Sequence, residues 1–204
     1  MIFNSSDYWE NRYKTGGNSG SGSYNHLAKF KSQIINEFIE TNKIYSLVDY
    51  GVGDGNQCSL INTQNLDYYG IDVSDTAISI CQKKKLSNKT FMTVDDFVGK
   101  KIKCQVSMSC DVIYHLIEDS VYENYMQNLC NFSNKYIIIY AKNDNIDHTQ
   151  HVKFRRFSDY LNETDFKLLQ HIPNPYPQTV IGRNNSKTSP SDFYIYRKLS
   201  VTNE

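Results

Sequence analysis

The stretch VDYGVGDGN at residues 48–56 decides the fold of this chain. It ends a short β-rich run, Tyr45–Tyr50, and places Gly51, Gly53 and Gly55 where a strand would turn into the next element. Glycines at such a turn let the backbone approach a ligand without a Cβ clash, and a following helix offers free N–H groups. In a doubly wound sheet this turn lies at the ligand-binding edge, beyond the carboxyl ends of the strands.

The glycine spacing separates two kinds of ligand, although glycines alone occur in many tight turns. A dinucleotide fold expects G-x-G-x-x-G, whose third glycine would stand where this chain has Asn56. Asp49 also precedes the first glycine by two positions, and a carboxylate there is unfavourable beside a pyrophosphate. S-adenosylmethionine (SAM) has no phosphate but carries an ammonium and a sulfonium group. The pattern therefore favours SAM over NAD, and disfavours an NAD-dependent oxidoreductase.

Strands and helices alternate on both sides of this turn. Apolar residues at spacings of three and four predict a helix over His26–Thr41. Two further helices are predicted at Ser74–Leu86, with Ser74 as N-cap, and at Ser120–Phe132, with a Ser120…Glu123 capping box. The β-rich runs predict strands at 45–50, 67–72, 90–94, 105–110, 136–141, 166–172 and 193–199.

This alternation predicts βαβ units, a mainly parallel sheet and helices on both faces. The last two strands have no obvious helix between them, so we expect an antiparallel pair at one edge. The predicted fold is a Rossmann-like, doubly wound α/β domain with seven strands and an antiparallel C-terminal hairpin. The 204 residues suit a single domain, with residues 1–25 as an N-terminal lid or cap and 26–204 as the core.

Acidic and aromatic residues follow the second and third strands. Asp72 ends the second strand, where a carboxylate can accept hydrogen bonds from ribose hydroxyls. Asp95, Asp96 and Phe97 follow the third strand, where an Asp could accept from an adenine amino group and an aromatic ring could cover the base. A solvated turn is an equally good interpretation of these three residues.

The motifs together resemble those of the class I SAM-dependent methyltransferases. The order is D-x-G-x-G-x-G at 49–55, G-I-D at 70–72, D-D-F at 95–97 and D-V-I-Y-H-L at 111–116. The resemblance covers roughly residues 45–141, and the N-terminal W-x-x-R-Y at 9–13 is compatible with it. Val52 departs from the family, which often has Cys, Ala or Thr there. More loosely, the chain resembles small bacterial methyltransferases of surface or capsular polysaccharide biosynthesis.

The resemblance implies SAM as cofactor, with Asp49 and Gly51 near its methionine part, Asp72 at the ribose and Asp96 or Phe97 at the adenine. Trp9 and Tyr13 are expected to fold over the cofactor, because aromatic faces attract a sulfonium cation; they could equally staple the first helix to the sheet. The predicted cofactor-binding residues are Trp9, Tyr13, Asp49, Gly51, Gly53, Asp54, Gly55, Asp72, Val73, Asp95, Asp96, Phe97 and Cys110.

Candidate catalytic residues follow the fourth strand. His115 is the best candidate for a general base, because an imidazole titrates near neutral pH; a structural role in the next helix is the alternative. Asp111 could orient the acceptor or contact SAM.

Beyond the fifth strand lie predicted acceptor-binding residues. Arg155 and Arg156 suggest a phosphate- or carboxylate-bearing acceptor, with a solvated helix start as the alternative. His148 and His151 form H-x-x-H, but no third ligand is evident, so no metal is predicted.

Composition narrows the class of protein further. Lys+Arg and Asp+Glu are both 22, and no extra recognition domain is evident, so nothing favours a nucleic-acid partner. Five cysteines without C-x-x-C spacing fit a reducing compartment, and the absence of a long apolar run predicts a cytoplasmic protein without a membrane partner. The Gly/Ser-rich residues 15–23 are either a flexible linker or a lid ordered by ligand.

Two functions remain open at this point. The first is a methyltransferase for a small-molecule or saccharide-precursor acceptor, modified at oxygen. The second is a non-catalytic SAM- or nucleotide-binding protein with a regulatory or assembly role. The sequence leaves the acceptor and the oligomeric state undetermined.

Overall fold

The computed structural model describes residues 3–149, 151–178 and 187–199, without the side chains of residues 147–149. In chain order the helices are α1 (Ser5–Lys14), α2 (Asn25–Thr41), α3 (Asp75–Lys83), α4 (Val94–Lys100), α5 (Asp119–Asn131) and α6 (Phe157–Asn162). The strands are β1 (Ser46–Tyr50), β2 (Asp67–Asp72), β3 (Lys89–Thr93), β4 (Cys104–Cys110), β5 (Ser133–Ala141), β6 (Asp147–Thr149), β7 (Val152–Lys153), β8 (Phe166–Ile172) and β9 (Asp192–Lys198).

The described strands form a seven-stranded sheet in the order β3-β2-β1-β4-β5-β9-β8, with β6 and β7 as a separate two-stranded ribbon. The first five strands of this order are parallel, and β9 runs antiparallel to both β5 and β8. The predicted fold class is therefore confirmed. The chain moves outward from β1 to β3 and then crosses back to β4, so the carboxyl ends of β1 and β4 form a switch point where ligands bind in such sheets.

Apolar residues fill both faces of the sheet. Val48 and Ile139 belong to the cluster under α4 and α5, whereas Leu47 and Ile138 belong to the cluster under α2 and α3. Neighbouring residues of one strand thus face opposite layers, as the period of a pleated strand requires. No helix within the described ranges is long and apolar enough to cross a bilayer.

The helix starts were predicted with mixed success. Ser74 caps α3 as expected, because its hydroxyl accepts a hydrogen bond from the Ala77 N–H at 3.0 Å. The predicted Ser120…Glu123 capping box is wrong: α5 already begins at Asp119, so Ser120 lies inside its first turn. The stretch beginning at Val94 is also helical, so Asp95, Asp96 and Phe97 form the first turn of α4.

Candidate cofactor and acceptor site

A cleft opens at the switch point, with about 880 Å³ of space not filled by protein atoms, including its opening to solvent. Its lining comes from α1, α2, the Gly/Ser-rich loop, the glycine turn, the ends of β2 and β4, and α5. The lining residues predicted from sequence are Trp9, Tyr13, Asp49, Gly51, Gly53, Asp72, Val73, Cys110, Asp111 and His115.

The glycine turn is packed too closely for side chains. Gly51 has φ 92° and Gly53 has φ 58°, both in the left-handed region that favours glycine. A Cβ on Gly51 would overlap the Val112 side chain, and one on Gly53 would overlap the hydroxyl of Ser19. The turn therefore presents bare backbone to the cleft.

Two buried carboxylates flank the turn. Asp72 accepts hydrogen bonds from the N–H groups of Gly53 at 2.9 Å and Ser74 at 3.0 Å. Asp49 accepts from the hydroxyl of Tyr68. Burial raises the pKa of both carboxyls, that of Asp49 to about 6, because the charged form is poorly solvated. Each carboxylate keeps lone pairs that a bound ligand could use.

Helix α1 lies across the cleft, and hydrogen bonds to other segments hold it near both of its ends. At its start, the Ser5 N–H donates to Glu118 Oε1 at 2.8 Å, and the Ser5 hydroxyl donates to the same carboxylate. Near its end, Glu10 accepts from the hydroxyls of Ser74 at 2.5 Å and Thr76 at 2.8 Å. These hydrogen bonds lower the pKa of Glu10 to about 2. The helix thereby places Trp9 and Tyr13 against the cleft.

The Gly/Ser-rich loop closes the cleft beside α1. Asp54 accepts from the Ser19 N–H at 2.9 Å and from the Tyr24 hydroxyl at 2.7 Å, and its own N–H donates to Ser19 Oγ at 2.8 Å. Asp54 therefore holds the loop and does not line the cleft, and neither does Gly55, whose Cβ position faces Cys81.

A largely buried ion pair lines the cleft beside the Gly/Ser-rich loop, where a Cβ on Gly22 would meet Asp111 Oδ2. Lys31 Nζ lies 2.6 Å from Asp111 Oδ2, and the Lys31 side chain is fully buried. The other oxygen of Asp111 accepts from the hydroxyls of Tyr114 at 2.9 Å and Ser191 at 3.3 Å. Both oxygens of Asp111 are thus engaged, so Asp111 orients its neighbours and is poorly placed to act as a base.

His115 lies between α1 and the β6–β7 ribbon. Its Nδ1 is 3.1 Å from the carbonyl oxygen of His151, and its ring packs edge-on against Trp9 with centroids 4.9 Å apart. Because a carbonyl only accepts, Nδ1 carries a proton. Burial lowers the pKa of His115 to about 4, so the ring is neutral at pH 7 and Nε2 keeps a lone pair.

The residues predicted at the adenine do not line the cleft. Asp95 and Asp96 are exposed on α4, where the Asp96 N–H donates to Thr93 Oγ1 at 3.2 Å. Phe97 is fully buried and packs edge-on against Phe132 with ring centroids 5.0 Å apart. Their predicted contact with adenine stays a prediction.

The predicted acceptor-binding residues also lie outside the cleft lining. Arg155 donates to the carbonyls of Leu116 and Ile117 and pairs with Asp119 at 2.7 Å, so its guanidinium holds the segment after β4. Arg156 is exposed, and His151 stacks on Tyr8 with ring centroids 5.6 Å apart.

His148 has its backbone in β6, but its side chain lies outside the described parts of the structure. Among the described residues, no group of three or more His, Cys, Asp or Glu side chains is arranged to hold a metal.

Lys31 and Gln57 are among the lining residues that were missed from the sequence. Lys31 had a signal, because it lies four residues after Leu27 on the apolar stripe of α2, where a charge is out of place. Gln57 had none. Its side-chain N–H donates to the Ala28 carbonyl at 3.1 Å, while its buried Oε1 has no hydrogen-bond partner among the described residues.

Comparisons with known proteins support the fold. No protein-family model matches the chain, and no curated protein matches it by sequence. The N-methyltransferase NodS from Bradyrhizobium japonicum WM9, in complex with S-adenosyl-L-homocysteine (SAH), has a TM-score of 0.72 at 12% identity, covering 97% of this chain and 100% of that chain. Magnesium protoporphyrin IX methyltransferase (ChlM) from Synechocystis PCC 6803 with bound SAM has a TM-score of 0.68 at 12% identity, covering 97% and 98%.

The solved structures similar to this chain differ in what they methylate. The small RNA methyltransferase HEN1 has a TM-score of 0.61 at 15% identity, covering 87% of this chain and 26% of that chain. At such low identity, these similarities establish a Rossmann-like methyltransferase fold and leave the acceptor open.

Proposed function

We propose that the protein is a SAM-dependent methyltransferase acting on a small molecule. One observation carries the proposal: two buried carboxylates, Asp49 and Asp72, flank a bare glycine turn at the switch point of the sheet. A nucleoside bearing a cationic amino acid suits such carboxylates, whereas a pyrophosphate would be repelled by them. The similarity in fold to NodS and ChlM, whose structures hold SAH and SAM, supports the same cofactor here.

The chain offers matching groups for the ribose and for the methionine part of that cofactor. Asp72 would accept hydrogen bonds from the ribose hydroxyls, and Asp49 and Gly51 would lie near the methionine part. When bound, SAM would supply a methyl group on a positively charged sulfur, and a lone pair of the acceptor would displace that sulfur from the methyl carbon in line. Trp9 and Tyr13 would cover the site and exclude water, because α1 is fastened across the cleft at both ends.

Residues 1–25 would act as the lid of this site. Ser19 and Ser23 line the cleft, and Asp54 bonds the loop to the glycine turn itself, so ligand binding and loop order are physically linked. This linkage supports a lid over a free linker for residues 15–23.

We propose His115 as the general base for a hydroxyl acceptor; the pKa of about 4 keeps its ring neutral at pH 7 but makes it a weaker base than an ordinary imidazole. Its Nδ1 proton is directed at the His151 carbonyl, which leaves the Nε2 lone pair to take the acceptor's proton during transfer. A hydroxyl needs such a base more than a neutral amine does, which supports oxygen as the methylated atom. Asp111 would hold the Lys31 ammonium in place in the part of the cleft where the acceptor would bind.

The finer identity of the acceptor rests on the sequence. A saccharide precursor and a cytoplasmic location follow from the resemblance and from the five cysteines, which are all free. An anionic group on the acceptor stays a prediction, because Arg155 already binds Leu116, Ile117 and Asp119; only Arg156 remains exposed for it.

Calorimetric titration tests the proposal directly. We expect SAM and SAH to bind to the purified protein and NAD not to bind; tight NAD binding without SAM or SAH binding would refute it. Transfer of radiolabelled methyl groups from SAM to a panel of nucleotide sugars and small hydroxyl compounds would then separate an enzyme from the non-catalytic alternative. The engaged oxygens of Asp111 are the observation that keeps that alternative open, since of the two predicted catalytic residues they leave His115 alone with a free lone pair.

A further inference from the structure

The His115 ring is held by two elements from different parts of the chain. The β6–β7 ribbon supplies the His151 carbonyl, 3.1 Å from His115 Nδ1, and the His151 ring, which lies parallel to the His115 ring with centroids 6.4 Å apart. Helix α1 supplies Trp9, which packs edge-on against the imidazole with ring centroids 4.9 Å apart. These contacts fix where the imidazole lies and which of its nitrogens faces the ribbon.

The ribbon is anchored to the segment that follows His115. The Arg155 guanidinium, two residues beyond β7, donates to the carbonyl oxygen of Leu116 and, at 2.8 Å, to that of Ile117. Its Nη2 also lies 2.7 Å from an oxygen of Asp119. A planar guanidinium can hold several oxygens in one fixed geometry, which a single ammonium cannot. Because Leu116 follows His115 directly, Arg155 keeps the ribbon beside the imidazole.

Helix α1 packs on the outer side of the same ribbon. The Tyr8 ring stacks on the His151 ring with centroids 5.6 Å apart and an angle of 18° between the planes. The rings of Tyr8, His151 and His115 therefore form one stack that runs from α1 through the ribbon to the segment after β4.

The ribbon carbonyl determines which nitrogen of His115 carries the proton. A neutral imidazole has one N–H, and a carbonyl oxygen can only accept, so the hydrogen bond to His151 holds the proton on Nδ1. Without that carbonyl, either nitrogen could carry the proton. A ring with its proton on Nε2 has no lone pair there and cannot take a proton from an acceptor at that atom.

We propose that the β6–β7 ribbon positions His115 for catalysis by fixing its proton on Nδ1, with Arg155 and Tyr8 as positioning residues that hold the ribbon in place. The inference rests on the proposed function. As the acceptor oxygen bonds to the methyl carbon and the electron pair of the broken bond stays on sulfur, the hydroxyl proton moves to Nε2 of His115. The ring then carries a proton on each nitrogen and returns the Nε2 proton to solvent.

Ring ¹⁵N NMR spectra of the wild-type protein at neutral pH test the proposal without cofactor or acceptor. The chemical shifts distinguish a protonated ring nitrogen from an unprotonated one, and the His115 signals are those that are missing in His115→Asn. We expect the His115 proton mainly on Nδ1. A proton mainly on Nε2 would overturn the proposal.

A pair of arginine variants tests the anchor of the ribbon. Arg155→Lys keeps a positive charge near Asp119 but loses the forked contact with two carbonyls. The ratio of the Nδ1–H form to the Nε2–H form of His115 should then fall by roughly fivefold, the size expected when one net hydrogen bond is lost. Arg156→Lys, at the exposed neighbouring position, should leave the ratio unchanged. An unchanged ratio in Arg155→Lys would overturn the role of Arg155.

A pair of Tyr8 variants tests the ring stack. Tyr8→Leu removes the ring that packs on His151, so the same ratio should fall, whereas Tyr8→Phe keeps the ring and should restore the wild-type value. Equal ratios in the two variants would overturn the role of Tyr8. Should Arg155→Lys not fold, the wild-type spectrum and the Tyr8 pair still decide.

Calorimetry with SAH separates this proposal from the proposed function. If the wild-type protein binds neither SAM nor SAH, the proposed function fails. If it binds them but carries the His115 proton on Nε2, only the positioning role fails. Arg155→Lys should bind SAH as the wild-type protein does, because Arg155 lies outside the cleft lining. A loss of SAH affinity together with the change in proton position would indicate a general structural role and would contradict the positioning role.

Discussion

Asp72 and Asp111 are carboxylates at the ends of parallel strands in the same cleft, yet the protein satisfies them differently. Asp72 accepts from backbone N–H groups of the glycine turn and of its own strand end. Asp111 accepts from the side chains of Lys31, Tyr114 and Ser191, two of which are distant in sequence. The comparison shows that the Asp72 side of the cleft is built from local backbone geometry, whereas the Asp111 side depends on long-range side-chain packing.

The largest expected effect is on the unfolding free energy, at the Lys31–Asp111 ion pair that joins distant segments of the chain. Lys31→Met would leave Asp111, whose side chain is 11% exposed, charged and without its partner, which costs about 3–5 kcal/mol of unfolding free energy. Urea denaturation measures this cost, and adding Asp111→Asn should recover much of it. Lys29→Met, at an exposed position of the same helix, is the control. Equal loss in both single variants would contradict a special role for the pair.

A smaller effect, on the affinity for SAH, is expected at Asp72, which accepts its hydrogen bonds from backbone N–H groups. Asp72→Asn replaces a charged acceptor of backbone hydrogen bonds, which we propose also accepts from the ribose, so SAH binding should weaken by about 2 kcal/mol, or roughly 30-fold. Calorimetry measures the change, with Asp75→Asn on the exposed start of α3 as control. Retained affinity in Asp72→Asn would place the ribose elsewhere.

A third lining residue, His115, should make the unfolding free energy depend on pH. Its folded pKa is lowered to about 4 by burial, below the ordinary value of about 6.5, so the unfolded chain binds more protons between these values. Stability contributed by neutral His115 is therefore present above pH 6.5 and is lost as pH falls towards 4. Urea midpoints measured across this window should show that slope in the wild-type protein and a shallower one in His115→Asn. NMR titration showing a pKa near 6.5 would contradict the buried neutral ring.

A further prediction concerns the helix that covers both ends. Ser5→Ala removes one hydroxyl that donates to Glu118 and accepts from the Ile117 N–H, at a cost of about 1 kcal/mol. We expect faster amide hydrogen exchange in α1. The neighbouring Ser6→Ala, at an exposed position, should change it little. No difference between the two variants would show that this anchor does not hold α1.

The smallest effect is expected at Asp96. The resemblance predicts an adenine contact, but the carboxylate is exposed on α4 and does not line the cleft. Surface substitutions of this kind change free energies by about 0.5 kcal/mol or less, so Asp96→Asn should shift SAH affinity by about twofold at most. A tenfold loss in calorimetry would restore the adenine contact that the sequence predicts.

Much of the fold was predictable because its signals are local. The strand at Asp67–Asp72 was predicted with the observed bounds, and α2 was predicted to within one residue of its start. Helix α1 was missed because its ten residues are mostly polar and carry little apolar periodicity. Helix α1 is held instead by hydrogen bonds to Glu118 and by contacts with α3. No local sequence pattern predicts these interactions.

The site was predictable to the same extent and for the same reason. Gly51, Gly53 and Asp72 line the cleft because turn geometry and strand ends follow directly from residue order. Phe97, predicted at the adenine, turns instead into the core, because the helix that begins at Val94 rotates it away from the sheet edge.

By itself, the sequence determined the layer order of the domain and the glycine turn with its two acids, since hydrophobic period and glycine conformation act over a few neighbouring residues. Only the tertiary structure decided that Lys31 pairs with Asp111, that Arg155 is already engaged, and that His115 is neutral beneath α1. Burial and ion pairing depend on which distant segments meet, and that is settled when the helices pack on the sheet.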